Sequence, residues 1–282
     1  MKNGNGHHKL RVGIIGLGVV GKTLAHALSW YHDVVPYDIK GDYDWNPILN
    51  ADIVLVCVDT PQGPDGRLDC RNVDAVLRRL EQGNYDRPVA VRSTLQVGFM
   101  TQAVSAYPDL RLVYFPEFIR ERSRLQWTVC PDRLVLAGDE RDIRAVLSAF
   151  KWVEDAPVLR MSYSEAELGK LANNAFIATK VSFTNEIERI CQIYDADPRM
   201  VMQVVTADRR VASTEHLRPA EGAYDGPCIP KDTHELMLAG GGAPLLKAVE
   251  QVRNSFGDGR ANLGGPPQKA ERVPVRTVDE SA

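Results

Sequence analysis

Short apolar runs alternate with stretches of helical spacing over residues 11–156. Arg11–Ile15, Val34–Tyr37, Ile53–Val58, Val89–Val91, Leu112–Phe115 and Leu134–Ala137 read as strands. Ile53–Val58 is almost wholly apolar, as a parallel strand covered on both faces should be. Between them, Gly18–Trp30 places Val19, Val20, Leu24, Ala27 and Leu28 on one helical face. Val73–Leu80 and Asp142–Phe150 carry the same spacing. Strands in alternation with helices predict an α/β fold with a doubly wound parallel sheet.

The pattern changes near Met161. Residues 164–194 hold no proline and no glycine after Gly169, and Leu168, Leu171, Ala175, Ala178, Phe183, Ile187 and Ile190 recur at helical spacing. Glu165 and Glu167 fall in the first turn, where the helix dipole favours anions. This predicts one long helix, roughly 45 Å at ~1.5 Å per residue. Pro198–Ala207, Lys231–Ala239 and Pro244–Asn254 read as further helices, and residues 208–229 as a polar loop rich in glycine and proline. The expected organisation is a sheet domain over 1–160, an all-α domain with one long central helix over 161–256, and a disordered tail over 257–282.

Composition narrows the class. Of 282 residues, 44% are apolar and 25% charged, which suits a globular chain with a sizeable core. The net charge of −3 gives no general affinity for nucleic acid or anionic membrane. No apolar run approaches the ~18 residues of a membrane span. The polar start, MKNGNGHHKL, argues against a signal peptide. Cys57, Cys70, Cys130, Cys191 and Cys228 are odd in number and widely spaced, which fits neither a disulfide framework nor a clustered zinc site. The expected compartment is the reducing cytoplasm, with no bound metal.

Gly16, Gly18 and Gly21 form G-x-G-x-x-G between a strand and a helix. The first glycine permits a tight turn, the second a close approach to a pyrophosphate, and the third close helix packing. The pyrophosphate then meets free N–H groups at the helix start. Asp38 closes the next strand, where an acid accepts from ribose hydroxyls and selects NAD over NADP. The fold expectation is therefore Rossmann-type.

GPCIPKD, residues 226–232, is the most unusual segment. Pro230 suits the first turn of a helix. Cys228 would stand at its start, where the dipole and Lys231 would both favour a thiolate; a buried structural cysteine is the alternative. Lys170 and Asn174, four apart, share one helix face beside the apolar stripe, either as a solvated flank or as part of a site. If Pro116 starts a helical turn, Glu117 and Glu121 stack and one carboxyl is raised for proton transfer; an exposed acidic flank is the alternative. Thr94 follows a strand and would face the cofactor crevice.

Taken together, GLGVVG, VCVDTP, RSTLQVG, FPEFIRE, PDR, the run 167–191, DRR, GAYDGPCIPKD and LLKAVEQVRN resemble the UDP-glucose/GDP-mannose dehydrogenase family, in order and spacing from about Arg11 to Asn254. The resemblance implies NAD-dependent, two-step oxidation of a sugar primary alcohol to a carboxylate. On it, Cys228 captures the aldehyde as a thiohemiacetal, and Lys170 and Asn174 stabilise oxyanions. Asp232 and Thr94 position water or a proton acceptor, and Glu117 and Glu121 bind substrate and serve thioester hydrolysis. It also implies cofactor contacts at Gly16, Gly18, Val19, Val20, Gly21, Asp38, Val58, Thr60, Thr94 and Lys231. Substrate contacts are implied at Glu117, Phe118, Glu121, Lys170, Asn174, Arg210, Tyr224 and Gly226. A homodimer through the 164–194 helix is the implied assembly.

The chain departs from the family in three ways. The family's third domain does not follow LLKAVEQVRN, RSTLQVG lacks paired prolines, and Asp225 stands where glycine is typical. These departures lead to an expected substrate smaller than, or altered from, a full nucleotide sugar. ELGKLANN also resembles the lysine helix of β-hydroxyacid dehydrogenases, which oxidise once and lack the cysteine. A silent NAD-binding subunit is the non-enzymatic alternative.

Overall fold

The computed structural model describes residues 9–119, 123–150, 152–153, 155–211, 216–218, 222–240 and 243–257. The elements, in chain order, are β1 (Arg11–Ile15), α1 (Val19–Ser29), β2 (Asp33–Tyr37), β3 (Ile53–Val56), α2 (Arg71–Gln82), β4 (Pro88–Val91), α3 (Phe99–Ala106), β5 (Arg111–Tyr114), α4 (Arg124–Val129), β6 (Leu134–Gly138), α5 (Glu140–Leu147), β7 (Val158–Arg160), α6 (Tyr163–Ile193), α7 (Pro198–Ala207), α8 (Ile229–Ala239) and α9 (Pro244–Gly257). Most follow the apolar pattern closely. Local sequence did not disclose α3, α4 or the three-residue β7, which are too short to show a period.

The strands form one sheet in the order β2-β1-β3-β4-β5-β6-β7. The sheet is fully buried along β3 and β4, as an apolar run without alternation requires. β1 lies between β2 and β3, so the winding reverses at β1 and β3, and a ligand crevice opens outside their carboxyl ends. One expectation is corrected. The sheet is mixed rather than parallel, because β5 and β6 run antiparallel through Val113–Gly138 and Tyr114–Ala137. The link between them carries only the six-residue α4, about 9 Å long.

Contacts divide the chain into two units. The first takes in residues 1–175 and 227–243, and the second residues 176–226 and 244–282. The first half of α6 and all of α8 thus belong with the sheet, whereas the change in sequence character falls near residue 161. In the first unit, Val54, Val56, Leu77, Leu80, Val89, Val91, Tyr114, Ala166 and Leu171 fill one face of the sheet. Val12, Ile14, Leu24, Leu28, Leu55, Ala90, Phe115 and Val146 fill the other. In the second unit, the Ser182 hydroxyl donates to the Val249 carbonyl (3.3 Å) and Asn185 Nδ2 to the Gly222 carbonyl (2.8 Å). The tail expected to be disordered lies outside the described residues. No described helix is long and apolar enough to cross a membrane.

Candidate active site

The glycine turn sits at the reversal point. Gly16 has φ +93°, and a Cβ there would lie 2.7 Å from the Cys57 backbone. A Cβ on Gly21 would overlap the Gly16 carbonyl oxygen, so α1 can approach β1 this closely only with glycine. Nothing lies within 4 Å of a Cβ built on Gly18, which leaves that backbone open to a ligand at the start of α1. Val19 is exposed and Val20 half-buried beside it. Asp38 Oδ2 accepts from the Leu17 N–H (2.6 Å) and Oδ1 from the Lys40 N–H (2.8 Å). These two bonds hold its carboxyl below the usual value. On the β3 and β4 side, Ser93 Oγ donates to the Val58 carbonyl (2.6 Å) and Thr60 Oγ1 to the Thr94 carbonyl (2.7 Å). An open backbone at a helix start, an acid at the end of β2 and hydrogen-bonded residues at the carboxyl ends of β3 and β4 fit a dinucleotide.

The chemistry residues converge within the first unit. Cys228 is the residue immediately before α8, is exposed, and caps a helix with Pro230 in its first turn. Asp232, one turn on, is fully buried and takes two bonds: Asn174 Nδ2 donates to Oδ2 (2.6 Å) and Lys231 Nζ to Oδ1 (2.7 Å). Lys170 and Asn174 are both buried, so they are not a solvated flank. Lys170 Nζ donates to Glu117 Oε1 at 3.3 Å and lies 5.3 Å from the Phe118 ring centre. The Arg133 guanidinium stacks over the same ring (4.2 Å) and donates to Asn173 Oδ1, while Asn173 Nδ2 donates to Asn174 Oδ1. Arg133, Asn173, Asn174, Asp232 and Lys231 therefore form one continuous polar chain ending beside Cys228.

One electrostatic expectation is corrected. The Cys228 thiol is raised rather than lowered: burial of the sulfur leads, and Asp232 adds to it, against Lys231 and Lys170. Lys231 is already engaged by Asp232, so its help to a thiolate is offset. Residues 116–119 form no helical turn among the described residues. Burial raises the Glu117 carboxyl, but Lys170, the Ile119 N–H (2.6 Å) and Arg92 outweigh that and leave it low. Glu121 lies outside the described residues. Lys170 is penalised by burial, yet Glu117, Asp232 and Cys228 raise it overall, so it is a standing cation.

Other positions belong to the second unit. Arg210 is exposed and paired with Asp208 (Nη2–Oδ2 2.5 Å). Tyr224 is buried, its ring beneath Arg253 and its carbonyl accepting from Arg253 Nε at 3.0 Å. Gly226 has φ +93°.

Several residues were beyond sequence reasoning. Glu167 does not serve its own helix start. It is buried and accepts from the Gly98 (2.6 Å) and Met100 (2.8 Å) N–H groups, capping α3. Arg92 is a buried guanidinium 4.1 Å over the Phe115 ring. Glu235, fully buried on α8, accepts from the Leu68 N–H. Only the spacing of Asp232 and Glu235 on one helix face hinted at a shared inward role. Cys57, Cys70 and Cys191 are buried, and Cys130 is exposed.

Comparison with known proteins is consistent with this geometry. Residues 40–151 match the model of the UDP-glucose/GDP-mannose dehydrogenase family NAD-binding domain, and residues 164–255 the model of the same family's central domain. The glycine turn precedes the first match, so its assignment stands on sequence and structure. The chain is 33% identical over 221 residues to UDP-glucose 6-dehydrogenase YwqF of Bacillus subtilis, covering 74% of this chain and 50% of that protein. It is 28% identical to a GDP-mannose 6-dehydrogenase of Pseudomonas syringae pv. tomato, covering 88% and 70%. The structure of a UDP-glucose dehydrogenase from Pyrobaculum islandicum superposes with a TM-score of 0.78 at 29% identity, covering 90% of this chain and 70% of that one.

Proposed function

The chain belongs to the UDP-glucose/GDP-mannose dehydrogenase family and carries its NAD-binding domain, and from that premise we propose that it oxidises the primary alcohol of a nucleotide sugar to a carboxylate in two steps. The observation that carries the proposal is the convergence of Cys228, Lys170, Asn174, Asp232 and Glu117 in one unit. NAD, when bound, accepts a hydride in each step. Gly16, Gly18, Gly21, Val19, Val20, Asp38, Val58, Thr60, Thr94 and Lys231 form its cradle.

In the first step the alcohol's hydroxyl proton passes to water and its carbon-bound hydride to NAD, leaving the aldehyde. Lys170, a cation, and the Asn174 amide stabilise the developing alkoxide. Cys228 sulfur then adds to the carbonyl carbon, and the thiohemiacetal keeps the aldehyde in the site. Loss of a second hydride from that carbon gives a thioester. Water attacks the thioester, the C–S bond breaks, and the carboxylate leaves as the thiol reforms. Glu117, held ionised, takes the proton from that water, and Asp232 orients Asn174 and Lys231. Glu121, Phe118, Arg210, Tyr224 and Gly226 complete the substrate contacts.

The thiol lies above its ordinary value, so its proton leaves for water as the sulfur adds to the carbonyl carbon. A reducing cytoplasm keeps it available, and all five cysteines are free. The second unit exposes Phe176, Phe183, Ile190 and Ile193 along α6, which supports a homodimer through that helix.

The test is NADH stoichiometry. Purified protein is incubated with NAD and, separately, UDP-glucose, GDP-mannose and smaller sugar or nucleoside alcohols. Two NADH per carboxylate, with Cys228→Ser forming no carboxylate, supports the proposal. One NADH and an indifferent Cys228→Ser establishes the single-oxidation reading. NAD binding without hydride transfer to any alcohol establishes a silent subunit.

A further inference from the structure

The segment after β3 folds back on itself and rests against the helix that carries Cys228. Its limbs are closed by Asp69 N–H to the Pro61 carbonyl (2.7 Å) and Gly63 N–H to the Arg67 carbonyl (2.7 Å), with a bridge between Gln62 and Leu68. One end, Val58–Thr60, follows the carboxyl end of β3 and is bonded to Ser93 and Thr94, on the side where the sheet's winding reverses. The other end meets α8 at three successive residues. The Leu68 N–H donates to Glu235 Oε2 at 2.8 Å, with both residues fully buried. The Arg67 guanidinium lies 3.8 Å from Glu235 Oε1. Gly66, at φ +81°, packs so closely that a Cβ would stand 2.5 Å from His234 Nε2. The Gln96 amide holds the Leu68 carbonyl from the β4–α3 link.

Glu235 is three residues beyond Asp232, so two buried carboxylates share one face of α8. Asp232 is bonded to α6 through Asn174, and Glu235 is bonded to the cofactor-side segment. Together they tie the Cys228 helix to two separate elements of the unit. Burying a carboxylate to accept one backbone N–H is costly where an apolar side chain would fill the space. The arrangement gains geometry in exchange: the N–H acceptor fixes the register of α8 along residues 66–68.

We propose that Glu235 is a positioning residue that couples the segment following the carboxyl end of β3, residues 58–68, to the Cys228 helix, so that thiol reactivity depends on NAD occupancy. The inference rests on the reading of NAD and Cys228 given above. Ordering of residues 58–60 by bound NAD is transmitted along a closed, hydrogen-bonded segment to Leu68, and from Leu68 to Glu235.

The experiment measures carbamidomethylation of Cys228 by iodoacetamide in the full chain, by peptide mass spectrometry, with and without saturating NAD. NAD affinity is measured alongside by calorimetry, and exposed Cys130 serves as the internal control. Wild type is expected to change its Cys228 rate about fivefold on adding NAD, a common size for coupling between sites. Glu235→Ala should lose that response while NAD affinity stays within about threefold. Glu235→Gln, whose amide oxygen can still accept from Leu68, should keep it. Gly66→Ala, strained at φ +81° and crowding His234, should lose it, and with Glu235→Gln it decides the matter even if Glu235→Ala does not fold. A wild-type rate blind to bound NAD, or a Glu235→Ala or Gly66→Ala response equal to wild type, overturns the proposal and leaves the oxidation chemistry standing. Absence of NAD binding overturns both, and calorimetry identifies that case by itself.

Discussion

The Lys170 ammonium and the Glu117 carboxylate meet at 3.3 Å, both buried, from positions 53 residues apart in the chain. Each partner keeps the other ionised. Removing one leaves an uncompensated buried charge, which costs about 3–5 kcal/mol. Lys170→Met and Glu117→Gln should each destabilise by that order in urea unfolding. The double variant should lose clearly less than the sum.

The same pair contributes to the pH dependence of stability at both ends. Glu117 is held below its ordinary 4.5, so its contribution is present above pH 4.5 and is lost as pH falls through the lowered value. Lys170 is raised above its ordinary 10.5, so its contribution is present below pH 10.5 and is lost as pH rises through the raised value. Unfolding free energy followed against pH should decline at both ends. Lys170→Met should reduce the alkaline decline but not abolish it, because burial also raises the Cys57 and Cys70 thiols.

The Cys228 thiol lies above the ordinary 9.0, with burial first and Asp232 second among the causes. Its alkylation rate without ligands should therefore still be rising at pH 9. Asp232→Asn should move the profile to lower pH, and Lys231→Met to higher pH. An alkylation midpoint near neutrality in the unliganded wild type would contradict the geometry.

Two glycines of the turn should fail differently. Gly21→Ala overlaps the Gly16 carbonyl and should destabilise by about 1–3 kcal/mol, seen as a lowered Tm. Gly18→Ala meets open space, so Tm should hold, while NAD affinity falls about tenfold or more as the methyl group blocks the pyrophosphate.

The apolar stripe on α6 predicts the assembly. Light scattering should give the mass of two chains, and Phe183→Glu with Ile190→Glu should give one. A monomeric wild type refutes the dimer.

Residues 11–56 and 163–239 show what a linear chain discloses. The glycine turn, the buried strand at Ile53 and the long helix over Tyr163–Ile193 could be read directly, because steric limits and apolar periods act between near neighbours. Cys228 at a helix start was legible for the same reason, since Pro230 marks that start. The antiparallel β5–β6 pairing, the ion pair that fixes Glu117, the capping of α3 by Glu167 and the upward shift of the Cys228 thiol were decided only in three dimensions. Ionisation and strand direction depend on which distant groups arrive at a few ångströms, and packing determines that rather than spacing along the chain.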